Sequence, residues 1–380
     1  MSVTITTATS TPIPAPPDTA KRKRITSLDW ARGWMVLANL VVIAFLYPSW
    51  DQLSHAQWLG VTVFDLIFPT FVSLSGCGLA FAYARRVDPL VTARRVVVLF
   101  GVGLLYNAVV TETFNPLQLR IAGPLQVYAV LVLVVALLHL VLRGVRPWAV
   151  ATVALATVWT AVSWVYNSQC PTGQPTRSCN LSAAIDLRLI PTEHLYRQGA
   201  LGHDPEGLAA IVGALITMMV GVTAGKILLA RTSPRVTLDR LVAWLIGVAL
   251  LGVLAAQFVA PFKRIWTPSF ALLTSTIGLT MLIIGYALHD RPAPPWWEMR
   301  REALAQPLVA MGRNALLLYF GSHIVIHELY VVGDPPLAVR VRDLDLPAVS
   351  DARILFAFLF VFGFFALAWV LHRRRIYIHA

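Results

Sequence analysis

Charge and cysteine are both scarce in this 380-residue chain: 13% of its residues are Asp, Glu, Lys or Arg, and three are cysteine. Soluble domains carry about 25% charged residues, so an ordinary soluble domain is excluded. Three cysteines exclude a disulfide-dense scaffold, although Cys170 and Cys179 share one polar loop and can pair there, while Cys77 lies inside an apolar run. No internal repeat is visible, and no second, soluble domain. Residues 1–20 are rich in Ser, Thr, Pro and Ala with no apolar core, which argues against a cleavable signal peptide and for a disordered tail. Acids are fewer than bases, 19 against 31, for a net charge of +12. That excess does not point to nucleic acid, because the bases fall in short clusters between apolar runs, as membrane topology requires.

What the sequence has in quantity is apolar: 57% of its residues, with a mean hydropathy of +0.68. Apolar segments run at about 27–47, 61–84, 95–111, 121–142, 147–166, 207–230, 238–259, 268–288, 307–332 and 352–371. Each is near the roughly 20 residues a bilayer needs. The chain therefore reads as an all-α polytopic membrane protein, a bundle of about ten transmembrane helices, with a tail at 1–24 and one membrane domain at 25–380.

Orientation follows from the bases. An alternating assignment sends residues 21–24, Arg85, Arg86, Arg94, Arg95, Arg143, Arg146, Lys226, Arg231, Arg235, Arg240, Arg291, Arg300, Arg301 and residues 373–375 to one side, about 20 bases against about nine. The positive-inside rule makes that side cytoplasmic, with both termini on it. The loops at 48–60, 112–120, 167–206, 260–267 and 333–351 then face outward. An oxidising compartment there would allow Cys170 and Cys179 to close. The proline-rich stretch 291–297 reads as a cytoplasmic connector with two interfacial tryptophans. Asp204-Pro205-Glu206-Gly207 reads as a helix start: cap, proline at the first position, acid in the first turn.

The stretch at 54–76, SHAQWLGVTVFDLIFPTFVSLSG, sets His55 just outside an apolar span and Asp65 just inside it. His55 lies in a polar loop rimmed by Trp50 and Trp58. Its ordinary pKa near 6.5 suits proton transfer at neutral pH, and a carboxylate such as Asp65 would fix its tautomer. Asp65 has a second reading, as a helix-start acid bonded to backbone. His323 and His327 are four apart and share a helix face. The glutamate a zinc-protease motif needs after the first histidine is Ile324, and no metal is expected. Arg120 and Lys263 sit at outer interfaces, where they read as snorkelling anchors or as groups lining a site for a polar substrate. Asn314, at the start of the ninth span, is an amide that must find a partner.

These pieces together resemble the heparan-α-glucosaminide N-acetyltransferase family of multi-span enzymes. The motifs are SLDWARG at 27–33, HAQWLGVTVFDLIFPTF at 55–71, RIAGPLQ at 120–126, CNLSAAIDLRLIPTEHLY at 179–196, DPEG at 204–207, VGVTAGKIL at 220–228, KRIWTPSF at 263–270 and GRNALLLYFGSH at 312–323. The resemblance makes His55 the catalytic histidine and Asp65 the aspartate of the Asp-x-x-Phe-Pro motif. Two positions depart from the family pattern. An asparagine about ten residues after the Arg-Gly pair would fall at Ile43, with Asn39 one turn earlier, and Ser322 stands where the family has histidine, with His323 next.

The resemblance implies acetyl or short-acyl transfer from acyl-CoA to an amine or hydroxyl of a sugar or glycoconjugate. His55 would act as general base or acyl carrier. Arg313, Asn314, Arg94 and Arg95 are expected at the acyl-CoA phosphates, and Arg120, Gln126, Lys263, Trp266, Ser269 and His323 around the acceptor. A polar cavity through the helix core would link the two ends. The remaining expectations are contact with membrane lipid, no nucleic-acid partner and a plasma-membrane location, with homodimer formation left open. Two rival readings are a surface-polysaccharide O-acyltransferase and a transporter or flippase without chemistry. The sequence shows neither the inverted repeats nor the broken helices common in transporters.

Overall fold

The apolar runs of the sequence form helices, and the run at 307–332 is divided at Asn314 between the end of one helix and the whole of the next. The computed structural model describes residues 25–46, 50–230, 232–344 and 351–378. The expected tail at 1–24 and Arg231 lie outside the described residues. Among the described residues the helices are α1 Thr26–Ala44, α2 Val63–Ala82, α3 Pro89–Val110, α4 Pro124–Val141, α5 Val145–Asn167, α6 Leu181–Leu189, α7 Leu208–Leu229, α8 Pro234–Phe258, α9 Pro268–Gly285, α10 Pro295–Arg313, α11 Ala315–Val331, α12 Leu337–Arg342 and α13 Ala352–Arg373. They include no strand, only an isolated parallel bridge between Gly60 and Phe262.

Eight helices are long and apolar enough to cross a membrane, or nine if α10 and α11, bent by 63° at their junction, count as one span. α1 has the length, 19 residues, but Asp29, Arg32 and Asn39 make it less apolar. The protein is thus an all-α polytopic bundle. Depth in the bundle follows packing: 78% of the apolar window of α7 is buried and 67% of that of α2, against 17% for α13. α2 and α7 cross backbone to backbone, because a Cβ on Gly221 would run into Ser73 O and one on Gly76 into Met218 O. Small residues permit such close approach where the hydrophobic effect cannot drive helices together. α1 and α10 meet the same way through Gly33 and Gly312.

Three local readings change. The ninth span is not one helix from 307: α10 begins at Pro295, taking Trp296 and Trp297 out of the expected connector, and ends at Arg313. Asn314 separates it from α11, and its buried amide donates to Ile376 O (3.2 Å) and accepts from Ile378 N (3.0 Å). The break is thereby filled by the C-terminal segment. Third, Asp204 does not cap α7. Gly207 is the residue before the helix, and Asp186 Oδ1, from α6, accepts from Leu208 N (2.8 Å) and Ala209 N (3.4 Å). α6 belongs to the loop between α5 and α7, and just before it a Cys170–Cys179 disulfide, Cα atoms 5.8 Å apart, closes residues 170–179.

Candidate active site

Asp65 fulfils both of its readings with one carboxylate. Oδ1 lies 2.7 Å from His55 Nδ1. Oδ2 accepts from Ala56 N (3.1 Å), Thr62 N (3.1 Å) and Thr62 Oγ1 (3.0 Å), while Thr62 Oγ1 accepts from Asp65 N (3.4 Å). This is a capping box, so the side chain that starts α2 also holds the histidine. A carboxylate only accepts, so Nδ1 carries the proton and Nε2 presents a lone pair. The imidazole lies flat on Phe64, centroids 4.1 Å apart and planes 6° apart. Burial first, and then the charge of Lys263, push the His55 pKa down to about 4, against the upward pull of Asp65. The ring is nonetheless open to approach, with 39% of its side-chain surface exposed.

The 260–267 loop is laid alongside the His55 loop. Phe262 bridges Gly60 and Arg264 Nε donates to Ala56 O (3.0 Å), which brackets Lys263 between two fixed residues. Burial lowers the pKa of Lys263. Trp266 follows with φ 44°, a left-handed backbone that a bulky residue adopts only when its surroundings force it. Its indole donates to Thr217 Oγ1 (3.2 Å) and meets Phe68 edge-on at 5.6 Å. Ser269 is fully buried, 3.2 Å from Thr267 Oγ1. Trp58 donates to Pro175 O (3.0 Å) and so ties the His55 loop to the disulfide loop.

Arg120 is not a lipid-facing anchor. Its Nη2 donates to Asp204 Oδ1 (2.7 Å) and Glu206 Oε2 (2.6 Å), and its guanidinium lies over the Tyr196 ring at 4.8 Å. Burial alone would lower its pKa, but Glu206 and Asp204 outweigh that and raise it. Burial opposes ionisation of Glu206 as well, and Arg120 and then Lys263 reverse the balance, so its pKa falls. Asp186, behind this group, is pushed by burial to about 6. Glu206 and Asp204 escaped the sequence reading because an Asp-Pro-Glu-Gly run looks complete as a helix start. The signal was Arg120 itself, a base near an apolar span that needs a counter-charge.

On the other side of Phe68 a cavity of about 430 Å³ opens between α1, α2, α3, α4, α7, α10 and α11. Tyr128, Tyr319, Phe68 and Phe71 line its inner part, and Arg32, Arg95 and Arg313 the end away from His55. It differs from the expected polar cavity linking the two ends: its wall is largely apolar and aromatic, and neither His55 nor Asp65 lines it. It stops at the Phe68 layer, one helical turn from Phe64 and the His55 ring. Arg95 lines it, whereas Arg94 is exposed outside it. Asn314 does not face it, since its amide holds the C-terminal segment.

Two further residues sit apart from the open space. Gln126 is buried with neither amide atom hydrogen-bonded among the described residues, in room left by Gly103 and Gly123. His323 Nδ1 is 2.8 Å from Tyr319 O, and its ring packs on Tyr319 at 4.6 Å. His327 approaches Glu112 instead, at 3.6 Å. Among the described residues no group of three or more His, Cys, Asp or Glu side chains is placed to hold a metal. The two departures from the family pattern meet: Asn39 Nδ2 lies 3.4 Å from Ser322 Oγ.

The class these features define is a helical membrane protein with a histidine–carboxylate pair beyond one end of a cavity and arginines at the other. Residues 24–182 match the family model described as heparan-alpha-glucosaminide N-acetyltransferase, catalytic, which bears out the resemblance carried by the dispersed motifs. The chain is 26% identical over 361 residues to the human heparan-alpha-glucosaminide N-acetyltransferase, covering 79% of this chain and 53% of the relative. With the mouse protein of the same name it shares 24% over 360 residues, 80% of this chain and 54% of the relative. The chain thus spans about half the length of the curated relatives it matches. His55, Asp65, Arg120 and Gln126 fall inside the family match, and Lys263, Trp266, Arg313 and His323 beyond it.

Proposed function

We propose that this chain is a transmembrane acyltransferase. It moves an acetyl or other short acyl group from acyl-CoA to an amine or hydroxyl of a sugar or glycoconjugate. The observation that carries the reading is the 2.7 Å bond between His55 Nδ1 and Asp65, which leaves Nε2 as the unprotonated ring nitrogen on a side chain that is 39% exposed. As general base, Nε2 takes the proton of the acceptor N–H or O–H while the acceptor attacks the thioester carbonyl. The CoA thiolate leaves and receives that proton from the imidazolium. In the covalent variant Nε2 attacks first, forming an acyl-imidazolium as the C–S bond breaks and CoA leaves as its thiolate. The acceptor then attacks the acyl carbon, the C–N bond breaks to restore the imidazole, and the acceptor's proton goes to solvent or to the thiolate. Asp65 serves both routes by fixing the tautomer and stabilising the imidazolium.

The acyl-CoA arm enters from the arginine end and the acceptor meets Lys263, Arg120 and Trp266 at the other. Both termini and the arginine end are cytoplasmic in this reading, and the membrane is the plasma membrane. The test is transfer of labelled acetyl from acetyl-CoA to glucosamine by purified protein. His55→Ala should insert and fold yet lose at least about a hundredfold in rate, the low end of what a missing general base costs. Undiminished transfer by that variant would contradict the assignment.

The break between α10 and α11 favours a second reading, since discontinuous helices line the substrate sites of many transporters. Here the C-terminal segment occupies the break, which speaks for a fixed structural joint. Absence of both acetyl transfer and CoA hydrolysis in the same assay would favour the transporter.

A further inference from the structure

A second cavity, also about 430 Å³, opens at the end of the bundle away from His55, lined by Arg313, His372, Arg373, Arg375 and Tyr377 with Asp29 as its one carboxylate. It meets the first cavity at Arg313, which lines both, and the C-terminal segment forms the partition: Tyr377 faces one and Ile378 the other. Three guanidinium groups against one carboxylate make a site for a multiply charged anion, and the planar guanidinium matches phosphate oxygens in pairs.

The segment is built into place. Asn314, fully buried in the helix break, holds Ile376 O and Ile378 N. The Arg313 guanidinium lies 3.5 Å above the Tyr377 ring, and His372 Nε2 is 2.9 Å from Gln306 Oε1. Arg375 takes φ 57°, an unfavourable backbone for a side-chain-bearing residue, which persists where neighbours fix it. Arginines that only set topology need none of this, because a loose tail carries charge equally well.

We propose that residues 373–378 are part of the donor site, with Arg373 and Arg375 joining Arg313 and Tyr377 to hold the phosphorylated nucleotide of acyl-CoA while its thioester arm lies in the first cavity. The proposal rests on the acyl-CoA reading above and assigns its anionic end to residues outside the family match. An anionic lipid headgroup offers the same phosphate chemistry, so the test separates the two.

Purified full-length protein in phosphatidylcholine bilayers is given acetyl-CoA or S-acetylpantetheine, which lacks the nucleotide, and binding of labelled CoA is measured in parallel. In the double variant Arg373→Gln, Arg375→Gln, KM for acetyl-CoA should rise at least tenfold with kcat little changed. CoA binding should weaken similarly, and turnover of S-acetylpantetheine should change less than twofold. Equal losses on both donors, an unchanged KM for acetyl-CoA, or a defect that appears only when phosphatidylglycerol is added would each overturn the proposal. CoA binding lost in the variant while the wild type transfers no acyl group would instead end the acyltransferase reading and leave the nucleotide site standing.

Discussion

His55 is held so that one ring nitrogen is committed to Asp65 and the other has no partner among the described residues. Its depressed pKa, about 4, makes a testable statement about pH. The base form prevails above that value, so kcat/KM should rise with pH through an acid limb near 4 and stay flat from about 5.5 to neutrality. A limb near the ordinary histidine value of about 6.5 would contradict the placement of the ring beside Lys263. Stability shares the sign: the unfolded chain binds the proton more readily between the two pKa values, so this group's contribution is lost as pH falls through that window.

Asp65→Asn separates the two duties of one side chain. The amide can keep a single acceptor oxygen, so either the His55 bond or the capping box fails. Loss of a cap costs about 1 kcal/mol. We expect a modest fall in thermal stability together with a large fall in kcat per folded molecule, and a variant losing stability alone would make Asp65 purely structural. This pair was legible in the sequence, because an acid inside an apolar span asks for a partner and a histidine lay ten positions away. Glu206 and Asp204 were not, because their motif satisfied a local rule while their real partner, Arg120, lay more than 80 residues distant.

At the scale of elements, the ten apolar runs were legible since a lipid-facing or core helix in a bilayer must be apolar for its whole length. The break at Asn314 was not. Hydropathy averaged over twenty residues passes smoothly across Gly312-Arg313-Asn314, and the partner that stabilises the break is a segment 62 to 64 residues further on. Asn314→Ala removes both bonds and leaves Ile376 O and Ile378 N to find other partners. Undocking of the segment should then become easier by about 1–3 kcal/mol, the cost of leaving such groups unmet. Limited proteolysis after Arg373, Arg374 and Arg375 reads this out. Cleavage as slow as in the wild type would mean that other contacts hold the tail.

For the molecule as a whole, the features that matter lie in sequence along one path: arginines at one end, a cavity walled by Tyr128 and Tyr319, the Phe68 layer, and then His55 with the loops of Lys263 and Arg120. The sequence anticipated the two ends, since charged residues stand out in an apolar chain. It did not anticipate the aromatic layer between them, because aromatic side chains inside spans look like ordinary core. In this account Phe68 must yield for a thioester to reach His55, and the two substrates arrive from opposite faces.

The most direct test uses proteoliposomes sealed and sorted for one orientation, with labelled acetyl-CoA added at the face carrying the C-terminus and glucosamine confined to the other. The account predicts acetylated glucosamine in the compartment that holds the acceptor, and none when the two substrates exchange sides. Transfer that requires both substrates on the same face would contradict it, even if His55 proves essential.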